Sequence, residues 1–154
     1  MIIRGDIMKN NFARPNAVAF IKGGPEAPSL MGSVKFYQRK GGVLVVANMT
    51  GLPESTSGFF ALHIHEGNSC TGEGFADTKG HYNPKNRPHP EHAGDLPPLL
   101  SASNDAYMSV FTNRFSVAEI IGRTVVIHSG PDDFRTQPAG DSGMKIACGV
   151  IRRN

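Results

Sequence analysis

The chain has 154 residues, 39% of them hydrophobic, and a formal net charge of +3. This length predicts a single domain over residues 1–154, with residues 1–14 as a flexible N-terminal segment. The basic residues are scattered and no apolar run approaches the roughly 18 residues of a membrane span, so neither nucleic acid nor a membrane is an expected partner.

Short runs with strand character, separated by turn signals, follow one another along the chain. A content of 18 Gly and 11 Pro favours a turn-rich β protein over a helical bundle. The pair Gly41-Gly42 predicts a hairpin between the second and third runs. Together they predict an all-β sandwich or barrel with strands at 17–22, 31–38, 43–49, 58–65, 107–112, 124–128 and 145–152, and one helical turn at 116–121.

Two long segments, 66–100 and 129–144, lack strand character. Loops of this length in a compact domain are usually either functional or disordered. The first segment contains three of the six histidines, so we predict that a metal ion orders it.

All six histidines fall into closely spaced groups, and an aspartate follows one group. Four nitrogen ligands suit copper, whereas three nitrogens and a carboxylate suit zinc. His63 and His65 lie on the same side of a predicted strand, so both can reach one ion. A solvated loop rich in histidine and proline, or a β domain stapled by zinc alone, would be simpler alternatives. The set predicts two metals if one histidine is shared: His63, His65, His81, His89, His92, Asp95 and His128.

Five motifs carry a specific resemblance. In sequence and in order they are similar to the copper/zinc superoxide dismutase family, over most of the chain from about residue 17 to residue 151. The loop after Cys70 looks closer to the bacterial secreted type than to the cytosolic animal type. The motifs are His63-Ile64-His65-Glu66, Gly80-His81-Tyr82-Asn83-Pro84, Ala93-Gly94-Asp95-Leu96-Pro97, Ile121-Gly122-Arg123-Thr124-Val125-Val126-Ile127-His128 and Ala147-Cys148-Gly149-Val150-Ile151.

The resemblance implies a fold and an activity. The family fold is an eight-stranded Greek-key β-barrel, an immunoglobulin-like sandwich with two long functional loops. The family activity is that of an antioxidant oxidoreductase, which converts two superoxide anions to dioxygen and hydrogen peroxide by Cu(II)/Cu(I) cycling beside a bridged zinc. The resemblance also implies a disulfide between Cys70 and Cys148, and it leaves a homodimer open.

The resemblance further assigns roles to individual residues. His81 would be catalytic and would bridge the two metals through its ring, and Asp132 would be the outer carboxylate that links a copper histidine to a zinc histidine. The copper ion would be held by His63, His65, His81 and His128, and the zinc ion by His81, His89, His92 and Asp95.

Two departures from the family pattern concern candidate site residues. Lys145 stands where the family usually has an arginine beside copper; lysine keeps the charge but lacks the planar guanidinium. Lys145 is therefore a candidate catalytic cation, and Arg135 is a second one. Only Pro90 and Glu91 separate His89 from His92, where the family normally has a longer connection.

A noncatalytic dismutase-like protein, which binds metal or handles copper, is the alternative function. Such relatives typically lose copper ligands, whereas this chain keeps four candidates. The chain as given has no apolar stretch of the signal-peptide kind, which favours the cytoplasm, whereas removal of a leader would make it periplasmic or extracellular.

Overall fold

The computed structural model describes residues 14–154, which form nine strands, one α-helical turn, a 3-10 helical segment (Glu73–Thr78) and long loops. The predicted flexible segment 1–14 lies, apart from Arg14, outside the described residues, and the single domain stays a prediction. The strands are β1 (Ala17–Gly23), β2 (Met31–Arg39), β3 (Gly42–Thr50), β4 (Phe59–Phe60), β5 (Leu62–His65), β6 (Leu99–Leu100), β7 (Ala106–Thr112), β8 (Thr124–His128) and β9 (Lys145–Arg153); the helical turn is α1 (Val117–Ile120).

Seven of the strands form one antiparallel sheet in the order β5-β8-β9-β1-β2-β3-β7, and β4 pairs with β6 in a small second sheet. The prediction of an all-β fold is confirmed. The predicted strand 58–65 is divided at Ala61, whose N–H donates to the Gly130 carbonyl at 2.8 Å and whose carbonyl accepts from the His128 N–H at 3.0 Å. These two bonds direct the chain from the small sheet to the large one, and this division together with the additional strand β6 raises the seven predicted strands to nine.

The hairpin prediction at Gly41-Gly42 is also confirmed. Gly41 has φ = 85°, a left-handed conformation that glycine adopts without steric cost, and Arg39 pairs with Gly42 across the turn. The predicted helical turn is present as α1, where the N–H and hydroxyl of Ser116 both donate to Glu119, at 2.6 and 2.7 Å.

The core lies against the large sheet, because successive strand side chains point to opposite faces. In β3, Val43, Val45 and Ala47 are buried while the side chains between them are partly exposed. In β5 and β8 every residue is buried, so these two strands have protein on both faces. A side chain at this end of the sheet is therefore shielded from water on either face.

The disulfide implied by the resemblance is present and ties a long loop to the sheet. Cys70 lies in the loop after β5, and its partner Cys148 lies within β9, 78 residues later. The same loop folds back on itself where Glu66 and Gly67 donate backbone hydrogen bonds to Gly80 and Thr78, both at 2.9 Å.

Among residues 14–154 no helix is long and apolar enough to cross a membrane.

Candidate metal centre

Strands β5 and β8 place three of the candidate ligands side by side. They pair antiparallel, with His63 opposite Val126, and His63 and His65 project from the same face of β5. The pairing between β8 and β9 shifts register between Ile127 and His128. Such an irregularity re-aims a side chain, and here it brings His128 Nε2 to 3.2 Å from His65 Nε2.

The long loop after β5 returns to lie along that strand and supplies the remaining ligands. Tyr82 donates its N–H to the Ile64 carbonyl at 2.8 Å, and the Ile64 N–H donates to the Gly94 carbonyl at 2.9 Å. A Cβ at position 94 would collide with the Ile64 carbonyl, so only glycine permits this approach. The contacts place His81 and Asp95, which neighbour these residues in sequence, directly beside β5.

The side chains form two clusters that share one residue. In each cluster four potential ligand atoms lie within 4.8 Å of one another, and His81 belongs to both. The structure therefore brings together all seven residues that the sequence singled out, including His89 and His92 across their short connection. The clusters are His63, His65, His81 and His128, and His81, His89, His92 and Asp95.

In the first cluster, three histidines each use one ring nitrogen for a hydrogen bond to a group outside the cluster. His65 Nδ1 donates to the Lys79 carbonyl at 2.8 Å, and His128 Nδ1 donates to the Gly143 carbonyl at 3.3 Å. His63 uses Nε2 instead, which lies 2.7 Å from an Asp132 oxygen. These bonds fix the tautomers and leave His65 Nε2, His128 Nε2 and His63 Nδ1 as acceptors toward the centre.

Asp132 lies between the clusters and contacts both. Its Oδ2 accepts from His63 Nε2 at 2.7 Å, and its Oδ1 accepts from His89 Nε2 at 2.9 Å. Its side chain is almost fully buried. One carboxylate thus orients a ring from each cluster, as the resemblance implied.

The second cluster is arranged around Asp95. The Nδ1 atoms of His81, His89 and His92 lie 2.8, 3.1 and 3.4 Å from the oxygens of this carboxylate. Although His89 Nδ1 is close to Asp95, the pair lacks hydrogen-bond geometry, so that nitrogen has no hydrogen-bond partner.

Buried ring nitrogens without a hydrogen-bond partner indicate that the two clusters can bind metal ions. His63 Nδ1, His81 Nε2 and His89 Nδ1 are buried without a hydrogen-bond partner. A buried polar atom left unpaired costs free energy, which a coordinated cation would recover. An imidazole-only cluster suits copper, and three imidazoles with one carboxylate suit zinc.

Burial keeps three imidazoles of the first cluster neutral, which is the form that binds a metal ion. It lowers the pKa of His65 to about 2 and that of His128 to about 3, and it also lowers the pKa of His63. Burial by itself would raise the pKa of Asp132, but hydrogen bonds from His63, the Phe134 N–H and His89 outweigh it, and the pKa is lowered. At neutral pH the rings of His63, His65 and His128 are therefore neutral, and the carboxylates of Asp95 and Asp132 are ionised.

The candidate cation Lys145 borders the first cluster. An open cavity of about 620 Å³ leads to His65, His81 and His128 and is lined by Lys145 as well. The Nζ atom of Lys145 donates to Thr78 Oγ1 at 2.8 Å and to the Lys79 carbonyl at 3.0 Å. That carbonyl also accepts from His65, so Lys145 both carries charge at the cavity and holds the loop that orients a ligand. Arg135 is exposed and does not line this cavity.

Two residues near the second cluster were missed by the sequence reasoning. Both residues form hydrogen bonds with the backbone of the segment 89–95. Arg114 lies 19 to 24 residues from its partners in sequence, and Gln137 lies 48 residues from its partner. Neither belongs to a motif, and no sequence signal marks them.

Comparisons with known proteins agree with this geometry. The family model described as copper/zinc superoxide dismutase (SODC) matches residues 30–151. The chain is 37% identical over 138 residues to "Superoxide dismutase [Cu-Zn] 2" of Aquifex aeolicus, covering 80% of each chain. It is 35% identical over 137 residues to "Superoxide dismutase [Cu-Zn]" of Legionella pneumophila, covering 84% of this chain and 82% of that one. The solved Cu/Zn superoxide dismutase from Brucella abortus superposes with a TM-score of 0.73 at 28% identity, covering 87% of this chain and 98% of that chain.

Proposed function

The chain belongs to the copper/zinc superoxide dismutase family, and from this premise we propose that it catalyses the conversion of two superoxide anions and two protons to dioxygen and hydrogen peroxide. The observation that carries the proposal is the pair of complete ligand clusters joined at His81. Noncatalytic dismutase-like relatives typically lose copper ligands, whereas this chain keeps all four, so the noncatalytic alternative is not favoured.

Copper belongs in the all-histidine cluster and zinc in the cluster that contains a carboxylate. Copper is therefore assigned to His63, His65, His81 and His128, and zinc to His81, His89, His92 and Asp95. Bound copper would supply the one-electron redox chemistry, while zinc, which is redox-inactive, would order the loop.

The protein's own groups can manage the protons that the reaction consumes. His81 directs Nδ1 toward Asp95, so its buried and unpaired Nε2 is the atom that can take up a proton and release it to the reduced substrate. The other proton would come from solvent through the open cavity. Asp132 keeps the rings of His63 and His89 oriented throughout, and Lys145 offers positive charge where an anionic substrate enters.

Elemental analysis combined with a superoxide-consumption assay, before and after copper removal, tests this function. We expect stoichiometric copper and zinc, loss of activity when copper is removed, and recovery when copper is returned. Stoichiometric zinc with no copper uptake and no activity would overturn the enzymatic proposal.

Removing the charge of Lys145 is expected to slow the enzyme. Lys145→Gln should lower the rate about tenfold at low ionic strength and reduce its dependence on salt, because a cation at a cleft accelerates the arrival of an anion. Lys145→Arg, which keeps the charge and adds donors, should match or exceed the original rate. The rates are measured across a salt series with Lys40→Gln, a substitution of an exposed lysine in the hairpin turn, as the charge-matched control. A Lys145→Gln rate equal to that of the control would contradict the role.

We also propose that the chain forms a homodimer. The supporting observation is an open apolar groove of about 990 Å³ on the sheet, lined by four exposed side chains, Phe20, Met31, Leu100 and Tyr107. Sedimentation across a concentration series should show a dimer that Phe20→Ser weakens. A monomer at all concentrations would exclude the dimer.

A further inference from the structure

Side chains from outside the zinc loop, residues 89–95, hold its backbone. Arg114, two residues beyond the end of β7, directs one guanidinium nitrogen, Nη1, at three carbonyl oxygens of this loop. The distances are 3.0 Å to Pro90, 3.1 Å to His92 and 3.3 Å to Asp95. Three carbonyl oxygens that converge on one point need a shared donor. The guanidinium group is such a donor, and it also carries a positive charge.

Gln137 holds the other end of the zinc loop. Its amide oxygen accepts from the His89 N–H at 2.9 Å, and its amide nitrogen donates to the His89 carbonyl at 2.7 Å. This reciprocal pair fixes the peptide groups on both sides of the His89 Cα. Gln137 belongs to the loop 129–144, so the two contacts reach the zinc loop from different parts of the chain.

We propose that Arg114 and Gln137 are positioning residues that preorganise the short zinc loop for its metal. The inference rests on the proposed assignment of zinc to His81, His89, His92 and Asp95. His89 and His92 are separated by only two residues, yet both Nδ1 atoms must face Asp95. The hydrogen bonds to the backbone of His89, Pro90, His92 and Asp95 meet this requirement, because they fix the Cα positions from which the ligands project.

The charge of Arg114 and its hydrogen bonds predict opposite effects on zinc. Among residues 14–154 no carboxylate lies within 4.0 Å of the guanidinium, so its charge is not locally neutralised by an ion pair. A nearby cation by itself weakens the binding of another cation. Loss of Arg114 therefore tightens zinc binding if charge dominates and loosens it if positioning dominates. The three hydrogen bonds lead us to expect the second result.

The test measures release of zinc from the metal-loaded full chain to a chelator, with copper release followed in the same sample. Arg114→Met keeps the length of the side chain but removes its donors, and we expect zinc release about tenfold faster. Arg114→Lys, which retains a cation with three donors, should restore much of the original rate. Gln137→Glu keeps the acceptor for the His89 N–H but loses the donor to the His89 carbonyl, and should also speed zinc release. Both side chains lie at the surface, so these substitutions leave the core intact.

Selectivity separates positioning from a general loss of structure. Copper release should change much less than zinc release, because His63, His65 and His128 lie outside the zinc loop. In Co²⁺-substituted protein, the visible bands of the ion at the zinc site should shift in Arg114→Met and return toward the original in Arg114→Lys. Arg152→Gln, an exposed charge-matched control at the end of β9, should leave both readouts unchanged.

The outcomes distinguish this inference from the function on which it rests. If the unsubstituted protein binds no zinc, or if Asp95→Ala binds it as well, the zinc assignment itself is wrong. If the unsubstituted protein binds zinc and Arg114→Met releases it at the same rate or more slowly, only the positioning role is overturned. Equal acceleration of zinc and copper release would also overturn it.

Discussion

Replacement of His81 by alanine is expected to lower the rate of superoxide consumption by roughly 100-fold or more, the scale of a lost positioned proton donor. His81 is the single residue common to both ligand clusters. Its Nδ1 lies 2.8 Å from Asp95, while its Nε2 is buried and unpaired. One substitution therefore removes a ligand from each proposed metal site and the proton carrier between them.

The His81→Ala experiment combines activity with metal content. We expect weaker retention of both metals, because each cluster falls to three ligands, and no recovery of activity when excess copper and zinc are supplied. His92→Ala is the matched control, since it removes a ligand from the zinc cluster alone and leaves the copper cluster complete. Full turnover of His81→Ala with both metals bound would show that the bridging assignment is wrong.

The candidate ligands could be predicted from sequence because the information is local. His63 and His65 follow the two-residue period of a strand, and the others lie in short motifs with a resemblance to one family. Sequence could not say which ring nitrogen faces the centre, since the two nitrogens differ only by their partners. His63 presents Nδ1 because Asp132, 69 residues away, engages Nε2, whereas His65 presents Nε2 because the Lys79 carbonyl engages Nδ1.

The features that were missed depend on contacts between distant segments. Leu99–Leu100 carries no alternating pattern, yet it forms β6 by pairing with Phe59–Phe60. The division of the predicted strand 58–65 at Ala61 likewise depends on partners in and after β8. Arg114 and Gln137 are ordinary surface residues in the sequence, and only the folded loop gives them backbone groups to bind. Tertiary contacts determine these strand boundaries and side-chain roles, and such contacts cannot be predicted from the local pattern of a single sequence.

Loss of the disulfide should produce the largest change in stability. Cys70 and Cys148 close a loop of 78 residues. In the chain-entropy account, a cross-link of this span lowers the entropy of the unfolded chain enough to stabilise the fold by about 4 kcal/mol. The double substitution Cys70→Ala and Cys148→Ala should lower the free energy of unfolding by about that amount, measured by denaturant titration of the metal-free protein.

The same cross-link should also affect the metal centre, because Cys70 anchors the loop that carries Lys79. The Lys79 carbonyl accepts from both His65 Nδ1 and Lys145 Nζ, so a loosened loop frees a ligand ring and the cation together. The double variant should therefore lose copper faster than the oxidised protein, and reduction of the original protein should reproduce both effects. Unchanged unfolding midpoints in the reduced and substituted proteins would show that the loop is held without the disulfide. Faster copper loss with an unchanged free energy of unfolding would instead show that the disulfide orders the loop in the folded protein and does not act by lowering the entropy of the unfolded chain.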